Sequence, residues 1–343
     1  MRKLLNVLYV TSPGSYLARD GENIVIQIDG KEKIRLPIHT LEGVVCFGYA
    51  GASPALMSLC AKRGVGLSFN NEYGKFLARV SGEIQGNVLL RKKQYKVSDN
   101  EEDAIQIVRN CLQAKISNCR NVVQRAIRDH GAVINSSSLE DVSVRLLNSI
   151  KQLENASNID SMRGIEGDAA KWYFSVFNEM ILTQKEDFYM KGRNKRPPKD
   201  FLNAMLSFLY TILAHDVQSA LETVGLDAYV GFLHQDRPGR PSLALDLMEE
   251  LRPVLADRMA LSLINRRQIK QNGFTVKENG AVLMDDDTRK ELLTSWHKRK
   301  QEELIHPFLK EKIPLGLLPY VQAMLLARHL RGDLDGYPAF IWK

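Results

Sequence analysis

Through the first 80 residues, apolar side chains come in short runs broken by turn residues, the mark of strands. Ser15–Arg19 and Ile24–Ile28 flank an Asp20-Gly21 turn, and a second pair, Asp29-Gly30, precedes the alternating Lys-Ile-Arg-Leu of residues 33–36. Asp-Gly signals a hairpin because both turn residues must accept positive φ. Val44–Phe47 reads as another strand. Ser53 and Pro54 have the character of an N-cap and first helical residue, opening a helix over Ala55–Lys62 that Gly64 ends. Val65–Phe69 and Gly74–Val80 return to strand. The opening Met-Arg-Lys-Leu-Leu-Asn-Val-Leu-Tyr-Val resembles the first half of a secretory leader. Asn6 interrupts its apolar run, however, and no small-residue cleavage site follows, so a first strand is expected.

From about residue 86 the period becomes helical. Glu101–His130 contains neither Pro nor Gly and spaces Ile105, Val108, Leu112, Ile116, Val122 and Ile127 along one face. Further helices are expected over Leu139–Leu153, Gly167–Leu182, Asp200–Val224, Leu243–Asn265, Asp287–Lys310 and Leu315–Leu330, with a short hairpin over Phe274–Met284. The pattern predicts an α+β protein: a small β-rich N-terminal domain over residues 1–85, then a larger all-α domain over 86–343.

Composition narrows the class. A chain of 343 residues with 44% hydrophobic and 25% charged residues is neither disordered nor fibrous. The uncharged stretch Phe201–His215 falls short of the roughly 20 residues a transmembrane helix needs and carries Asn203, Ser207, Tyr210 and Thr211. No membrane role is expected, and the location is expected to be cytoplasmic. Cys46, Cys60, Cys111 and Cys119 form no Cys-x-x-Cys pair and have apolar neighbours, as buried thiols do in a reducing compartment.

Forty-seven Lys and Arg against 40 Asp and Glu leave a net charge of +7. The excess is clustered. Lys191, Arg193, Lys195, Arg196 and Lys199 lie in one acid-free segment that Pro197-Pro198 marks as a loop, with Phe188 and Tyr189 just before it. His297–Lys300 beside Trp296, and Arg266, Arg267 and Lys270, are further clusters. Any one of these runs could be a plain solvated face; together they point to a polyanion partner, with aromatics suited to stacking on bases.

Three places hold side chains able to bind a metal. In Gly164-Ile165-Glu166-Gly167 a carboxylate is flanked by residues without bulk, so a ligand can approach; the plainer reading is an acid favoured by a helix N-terminus. His234 ends an apolar stretch and precedes the loop Gln235-Asp236-Arg237-Pro238-Gly239-Arg240. It is either a ligand or a hydrogen-bonded structural histidine. Asp246 and Glu249, three apart on one helix face, interrupt a run of Leu and Met, and charges there need a partner or a metal. Glu250 is expected to point to solvent. If Glu166, His234 and Glu249 converge, they form an open oxygen-plus-imidazole site suited to Mg²⁺ or Mn²⁺.

Four stretches in order resemble the Cas-one family, the CRISPR-associated integrases. They are Gly-Ile-Glu-Gly at 164–167, Arg-Pro-Pro-Lys-Asp-Phe-Leu-Asn-Ala-Met-Leu-Ser-Phe-Leu-Tyr at 196–210, Gly-Phe-Leu-His at 231–234 and Leu-Asp-Leu-Met-Glu-Glu-Leu-Arg-Pro at 245–253. Leu-Pro-Ile at 36–38, Phe-Gly at 47–48, Gly86-Asn87-Val88 through Arg91, and Gln94-Tyr95 extend the resemblance to the N-terminal half, which looks most like subtype I-C. The resemblance implies a metal held by Glu166, His234 and Glu249, with Asp246 the acidic residue one turn earlier. It implies insertion of captured DNA as new spacers in a CRISPR array, by attack of a 3′-hydroxyl on a phosphodiester at a repeat border. The implied partners are double-stranded DNA (prespacer and repeat), a second copy of the chain, and a dimer of the small Cas-two protein flanked by two such homodimers. A Cas-four nuclease joins in subtype I-C systems. Arg193, Lys195, Arg196, Arg237, Arg240 and Tyr210 are the expected DNA contacts. The competing readings are a metal-dependent, structure-specific DNA endonuclease using the same residues, and a non-catalytic nucleic-acid scaffold.

Overall fold

The computed structural model describes residues 7–41, 43–71, 76–80, 82, 88–194 and 196–342. Two compact units result: one comprises Met1–Gln85, Leu292–Glu303 and Pro314–Leu317, the other Gly86–Glu291, Leu304–Ile313 and Leu318–Lys343.

The first unit holds two four-stranded sheets. In one, β1 (Val7–Val10), β5 (Gly43–Phe47) and β7 (Gly66–Asn70) run parallel, Val7 opposite Gly43 and Gly43 opposite Gly66, and β8 (Phe76–Val80) closes the edge antiparallel. In the other, the order is β4 (Lys31–Pro37), β3 (Asn23–Ile28), β2 (Tyr16–Asp20), β6 (Gly51–Ala52). Both hairpins form, but in the first Asp20 is still paired, opposite Asn23, and the turn is Gly21-Glu22 with Gly21 at φ 60°; the second is the Asp-Gly turn expected. Asp29 and Gly30 have φ of 52° and 72°, the two positive values that such a turn demands. Ser53 caps α1 (Pro54–Arg63) by accepting from the Leu56 N–H, and Gly64 ends it at φ 65°. Leu17, Ile24, Ile38, Val44, Leu56 and Leu67 are wholly buried in this core. Cys46 and Cys60 lie among them as free thiols, and burial pushes these up to about 12 and about 11. Gly74 of the expected last strand lies outside the described residues.

The second unit is helical. α2 (Val88–Ser98), which the sequence pattern did not single out, precedes α3 (Glu101–His130), whose bounds match the expectation. α4 (Ser136–Asn155) and α5 (Ile159–Ser175) pack against α3, and α6 (Phe201–Thr223), capped by Asp200, is apolar almost all round. The helix expected to start at Gly167 begins eight residues earlier, where Asn158 accepts from the Ser161 N–H (2.8 Å). Gly164 and Gly167 therefore lie inside a helix, and Glu166 is not an N-terminal acid. The long helix expected over Leu243–Asn265 is three pieces: α7 (Ser242–Glu249), a π-helical turn over Arg252–Asp257, and α8 (Arg258–Asn265). The hairpin of β9 (Phe274–Val276) and β10 (Val282–Met284) forms as expected. α9 (Asp286–Gln301), whose residues from Leu292 on belong to the first unit, stops short of Lys310, because residues 303–314 fold as a second hairpin of β11 (Glu303–Ile305) and β12 (Lys312–Pro314). α10 (Leu318–Arg331) completes the unit. Among the described residues no helix is long and apolar enough to cross a membrane.

Residues 337–342 are lashed to α3 by three asparagines on one face. Asn110 donates to the Tyr337 carbonyl (2.9 Å), and Asn118 donates to the Phe340 carbonyl (2.8 Å) and accepts from the Trp342 N–H (2.8 Å). Asn121 donates to the Trp342 carbonyl, and the guanidinium of Arg258 lies 4.0 Å from the Trp342 ring centre. Glu250, expected in solvent, is instead wholly buried beneath this tail. It accepts from Tyr337 Oη (2.6 Å), Gln322 Nε2 (2.8 Å) and the Phe340 N–H (2.9 Å).

Burial pushes the Glu250 carboxyl up to about 7, against three donors that favour its charged form. A carboxyl raised by folding adds stability that is full below its unfolded value, about 4.3, and is lost as pH rises through the folded one. Urea unfolding is therefore expected to show stability falling between pH 5 and 7.5, with up to about 3 kcal/mol from this residue. Glu250→Gln should flatten that slope while lowering the absolute level, since its amide sets a donor against the Phe340 N–H. An unchanged slope in the variant would assign the titration elsewhere.

Candidate functional site

Three helices and one loop of the second unit bring their charged residues to a single buried point. The Nζ of Lys115, from α3, sits between Oε1 of Glu166, from α5, and Oε2 of Glu249, at the end of α7 (2.6 Å to the latter). The other oxygen of Glu249 pairs with Arg252 Nη1 at 2.6 Å, one helical step on, in the π-helical turn. Such turns recur at functional sites because the extra residue re-aims side chains. Lys115 and Glu249 are buried and Glu166 is half-buried. Burial alone would raise the Glu249 carboxyl; Arg252 and Lys115 hold it well below the usual carboxylate range. Burial likewise opposes the Lys115 charge, but Glu249 and Glu166 hold the ammonium above its ordinary value. Each of these two groups thus favours the charged form of the other.

His234 stands at the end of the loop that follows α6, within electrostatic reach of Glu249. Asp246 builds this loop. Its Oδ2 accepts from the N–H groups of Phe232 (2.6 Å) and Leu233 (2.9 Å), and its Oδ1 from the N–H of His234 (2.9 Å). The same Oδ1 lies 2.6 Å from His234 Nδ1. A carboxylate there fixes the tautomer with the proton on Nδ1, which leaves Nε2 as the acceptor nitrogen. Only glycine fits at 231, since a Cβ would stand 2.9 Å from Asp246 Oδ2 and 2.8 Å from Ser242 Cβ. Arg163, one turn before Glu166 on α5, donates through Nε to the Leu233 carbonyl at 3.0 Å and so ties that helix to the loop.

Of the expected DNA contacts, Arg193 and Tyr210 have other work. Arg193 donates to the Asn194 carbonyl (2.7 Å) and Asn203 Oδ1 (2.6 Å), and its guanidinium lies 5.2 Å from the Tyr210 ring centre, with Arg252 at 5.0 Å from the same ring. The Tyr210 hydroxyl donates to Asp257 Oδ1 (2.6 Å) and that of Tyr173 to Oδ2 (3.1 Å). Burial pushes Asp257 up to about 6 while the two hydroxyls pull it back. A phosphate bond from Tyr210 would have to break that contact, so both residues read as supports of the loop and of Arg252. Arg196 and Arg237 are exposed and Arg240 is half-exposed, all on loops; Lys195 lies outside the described residues. Phe188 and Trp296 are buried in the core, which removes them as stacking platforms, whereas Tyr189 is exposed.

Lys115, Arg252 and Asp257 were missed as site residues. Lys115 carried a readable signal: it falls on the buried stripe of α3 between Val108, Cys111 and Leu112 on one side and Cys119 and Val122 on the other. Among the described residues no group of three His, Cys, Asp or Glu side chains is gathered tightly enough to hold a metal, with Lys115 standing between the two glutamates.

The profile of the family described as "CRISPR associated protein Cas1" matches residues 8–298. A CRISPR-associated endonuclease Cas1 of Rhodospirillum rubrum is 52% identical over the whole of both chains. Among solved structures, a casposase bound to its integration product has the same fold, with a TM-score of 0.84, at 19% identity over all of this chain and 95% of that one. A chain of a Cas6-RT-Cas1–Cas2 complex matches with a TM-score of 0.81 at 24% identity, over all of this chain and 36% of that one. Its sequence and fold together place the chain in the Cas1 family, the Cas-one family that its motifs resemble.

Proposed function

We propose that this protein is the integrase of CRISPR adaptation, and that its helical unit joins captured DNA to the array through a Mg²⁺ or Mn²⁺ held by Glu166, His234 and Glu249. One observation carries the reading: carboxylates from two different helices already close on a single cation, the Lys115 ammonium, beside a histidine of fixed tautomer. Two hard oxygen donors and one imidazole fit either ion and leave positions open for substrate oxygens. A bound divalent ion supplies Lewis acidity at the scissile phosphate.

The protein's own residues align and neutralise. Asp246 orients the imidazole and shapes the 231–234 loop; Arg252 fixes the Glu249 carboxylate; Arg163 holds α5 to the loop. Arg196, Arg237 and Arg240 lie on open loops and take DNA phosphates, the sequence-blind contacts that a site accepting any captured fragment requires. Gly164 and Gly167, three apart on one side of α5, have nothing within 4 Å of where a Cβ would stand, so that side of the helix is bare for a DNA strand. The attacking 3′-hydroxyl and the phosphodiester exchange one ester for another, and no energy-rich cofactor is consumed.

The subtype I-C flavour of the sequence, and relatives in which a Cas4 exonuclease and Cas1 share one chain, support a Cas4 partner. The Cas6-RT-Cas1–Cas2 complex supports a Cas2 partner, and the resemblance of the motifs implies the heterohexamer in which two homodimers of this chain flank a Cas2 dimer. The relatives are named endonucleases, which favours a second reading in which water is the nucleophile at the same residues. Strand transfer separates the two: labelled duplex with free 3′-hydroxyls, repeat-bearing plasmid, Mn²⁺ and Cas2 should give label in the plasmid. Shortened but unjoined label would favour the endonuclease.

In that assay Glu249→Ala should lose joining by at least about 100-fold, the scale of losing one preorganised charge partner of the transition state, with DNA affinity retained. Asp246→Asn should cost about 10- to 100-fold, as removal of an outer partner of a metal-binding histidine does. If either variant joined strands at the wild-type rate, the assigned ligands would be wrong.

Affinity for duplex DNA should fall steeply between 50 and 200 mM salt. Arg196→Ala and Arg237→Ala should each lower the log–log slope by about 1; slopes equal to wild type would place the phosphates elsewhere.

Gly167→Ala offers a test in which stability and function move apart. It should raise thermal stability, by about 0.5–1 kcal/mol for an interior helical glycine, while slowing strand transfer. Faster or unchanged transfer would show that the bare face serves no substrate.

A further inference from the structure

Lys115 is an expensive residue where it stands. It occupies the buried stripe of α3, flanked by Cys111, Leu112 and Cys119, and only its two carboxylates offset the loss of hydration and of rotamer freedom. Without it, Glu166 and Glu249 would meet as like charges out of water. The carboxylate of Glu249, in contrast, does not depend on Lys115 for its position, because Arg252 holds its other oxygen.

We infer that Lys115 is a resident placeholder cation: in the metal-free protein its ammonium fills the cation position between Glu166 and Glu249, and a divalent ion enters by displacing it. This rests on the metal reading proposed above. Three features of the site fit the exchange. The ammonium sits on a flexible four-carbon stem, so it can leave without moving α3. Glu166 is half-exposed, which gives an ion a way in. Replacing one positive charge by two strengthens the attraction to both carboxylates, which sets the direction of exchange. The device keeps the site folded and charge-balanced before metal arrives, at the expense of affinity for the metal.

The test is Mn²⁺ binding by calorimetry to the full-length wild type, Lys115→Met and Glu166→Ala, paired with thermal unfolding in EDTA and in Mn²⁺. Lys115→Met should melt lower than wild type in EDTA, gain more from Mn²⁺, and bind Mn²⁺ about tenfold or more tightly, the factor that corresponds to 1.4 kcal/mol of competing ion pairs. Should that variant fail to fold, ¹⁵N-lysine NMR of the wild type tests the same point. The slowly exchanging Lys115 ammonium resonance should move or vanish as diamagnetic Mg²⁺ is added, with the midpoint of metal binding. If the wild type binds Mn²⁺ and Glu166→Ala does not, yet Lys115→Met binds no tighter or the ammonium resonance is unmoved at saturating Mg²⁺, the placeholder is overturned and the metal reading stands. If Glu166→Ala binds like wild type, or no form binds, both fail.

Discussion

Two carboxylates cannot share a buried position without a cation, and the second unit is organised around that constraint. α3 contributes the ammonium, α5 and α7 the two acids, and the π-helical turn after α7 a guanidinium that pins the second acid from behind. These groups, Lys115 and Glu166 lying 51 positions apart and Glu249 and Arg252 further along the chain, can meet only if the helices that carry them pack in one register. Apolar contacts would tolerate some sliding of helix on helix; a charge left unpaired out of water would not. The electrostatics therefore specify the arrangement, and the Leu-rich faces supply most of its stability.

Beside the acids lies a second polar layer centred on the buried Asp257. Asp257 takes hydroxyl hydrogens from Tyr173 on α5 and Tyr210 on α6, and the Tyr210 ring lies between Arg193 and Arg252. The basic loop that looks like a surface feature is thus anchored, through Arg193 and Asn203, to the same stack that steadies Glu249. Movement of that loop and position of that acid are coupled through one tyrosine.

Much of this was legible in the sequence, and the reasons differ by element. The hairpin with its Asp29-Gly30 turn, the Ser53-Pro54 start of α1 and the thirty-residue stripe of α3 depend on neighbours in sequence, so local chemistry specified them. The start of α5 was misjudged because Gly164 and Gly167 look like punctuation, whereas the Asn158 cap and tertiary packing carry the helix through them. Glu166, His234 and Glu249 could be named, but that Glu166 and Glu249 meet on Lys115 is a long-range fact that no local pattern contains. Glu250 shows the same limit in reverse: next to Glu249 it reads as the solvated twin, and only residues far along the chain, Tyr337 and Phe340, explain why it is buried.

The strap formed by residues 337–342 carries a consequence for the order in which the protein is made. α3 presents Lys115 on one stretch of its surface and Asn118 and Asn121 on the next, and these asparagines meet their partners only in the strap. Until residues 337–342 have left the ribosome, Glu250 lacks two of its three donors and must stay wet. A nascent or prematurely terminated chain thus carries Lys115, Glu166 and Glu249 before the neighbouring Glu250 can be buried, so translation itself sets when this layer closes.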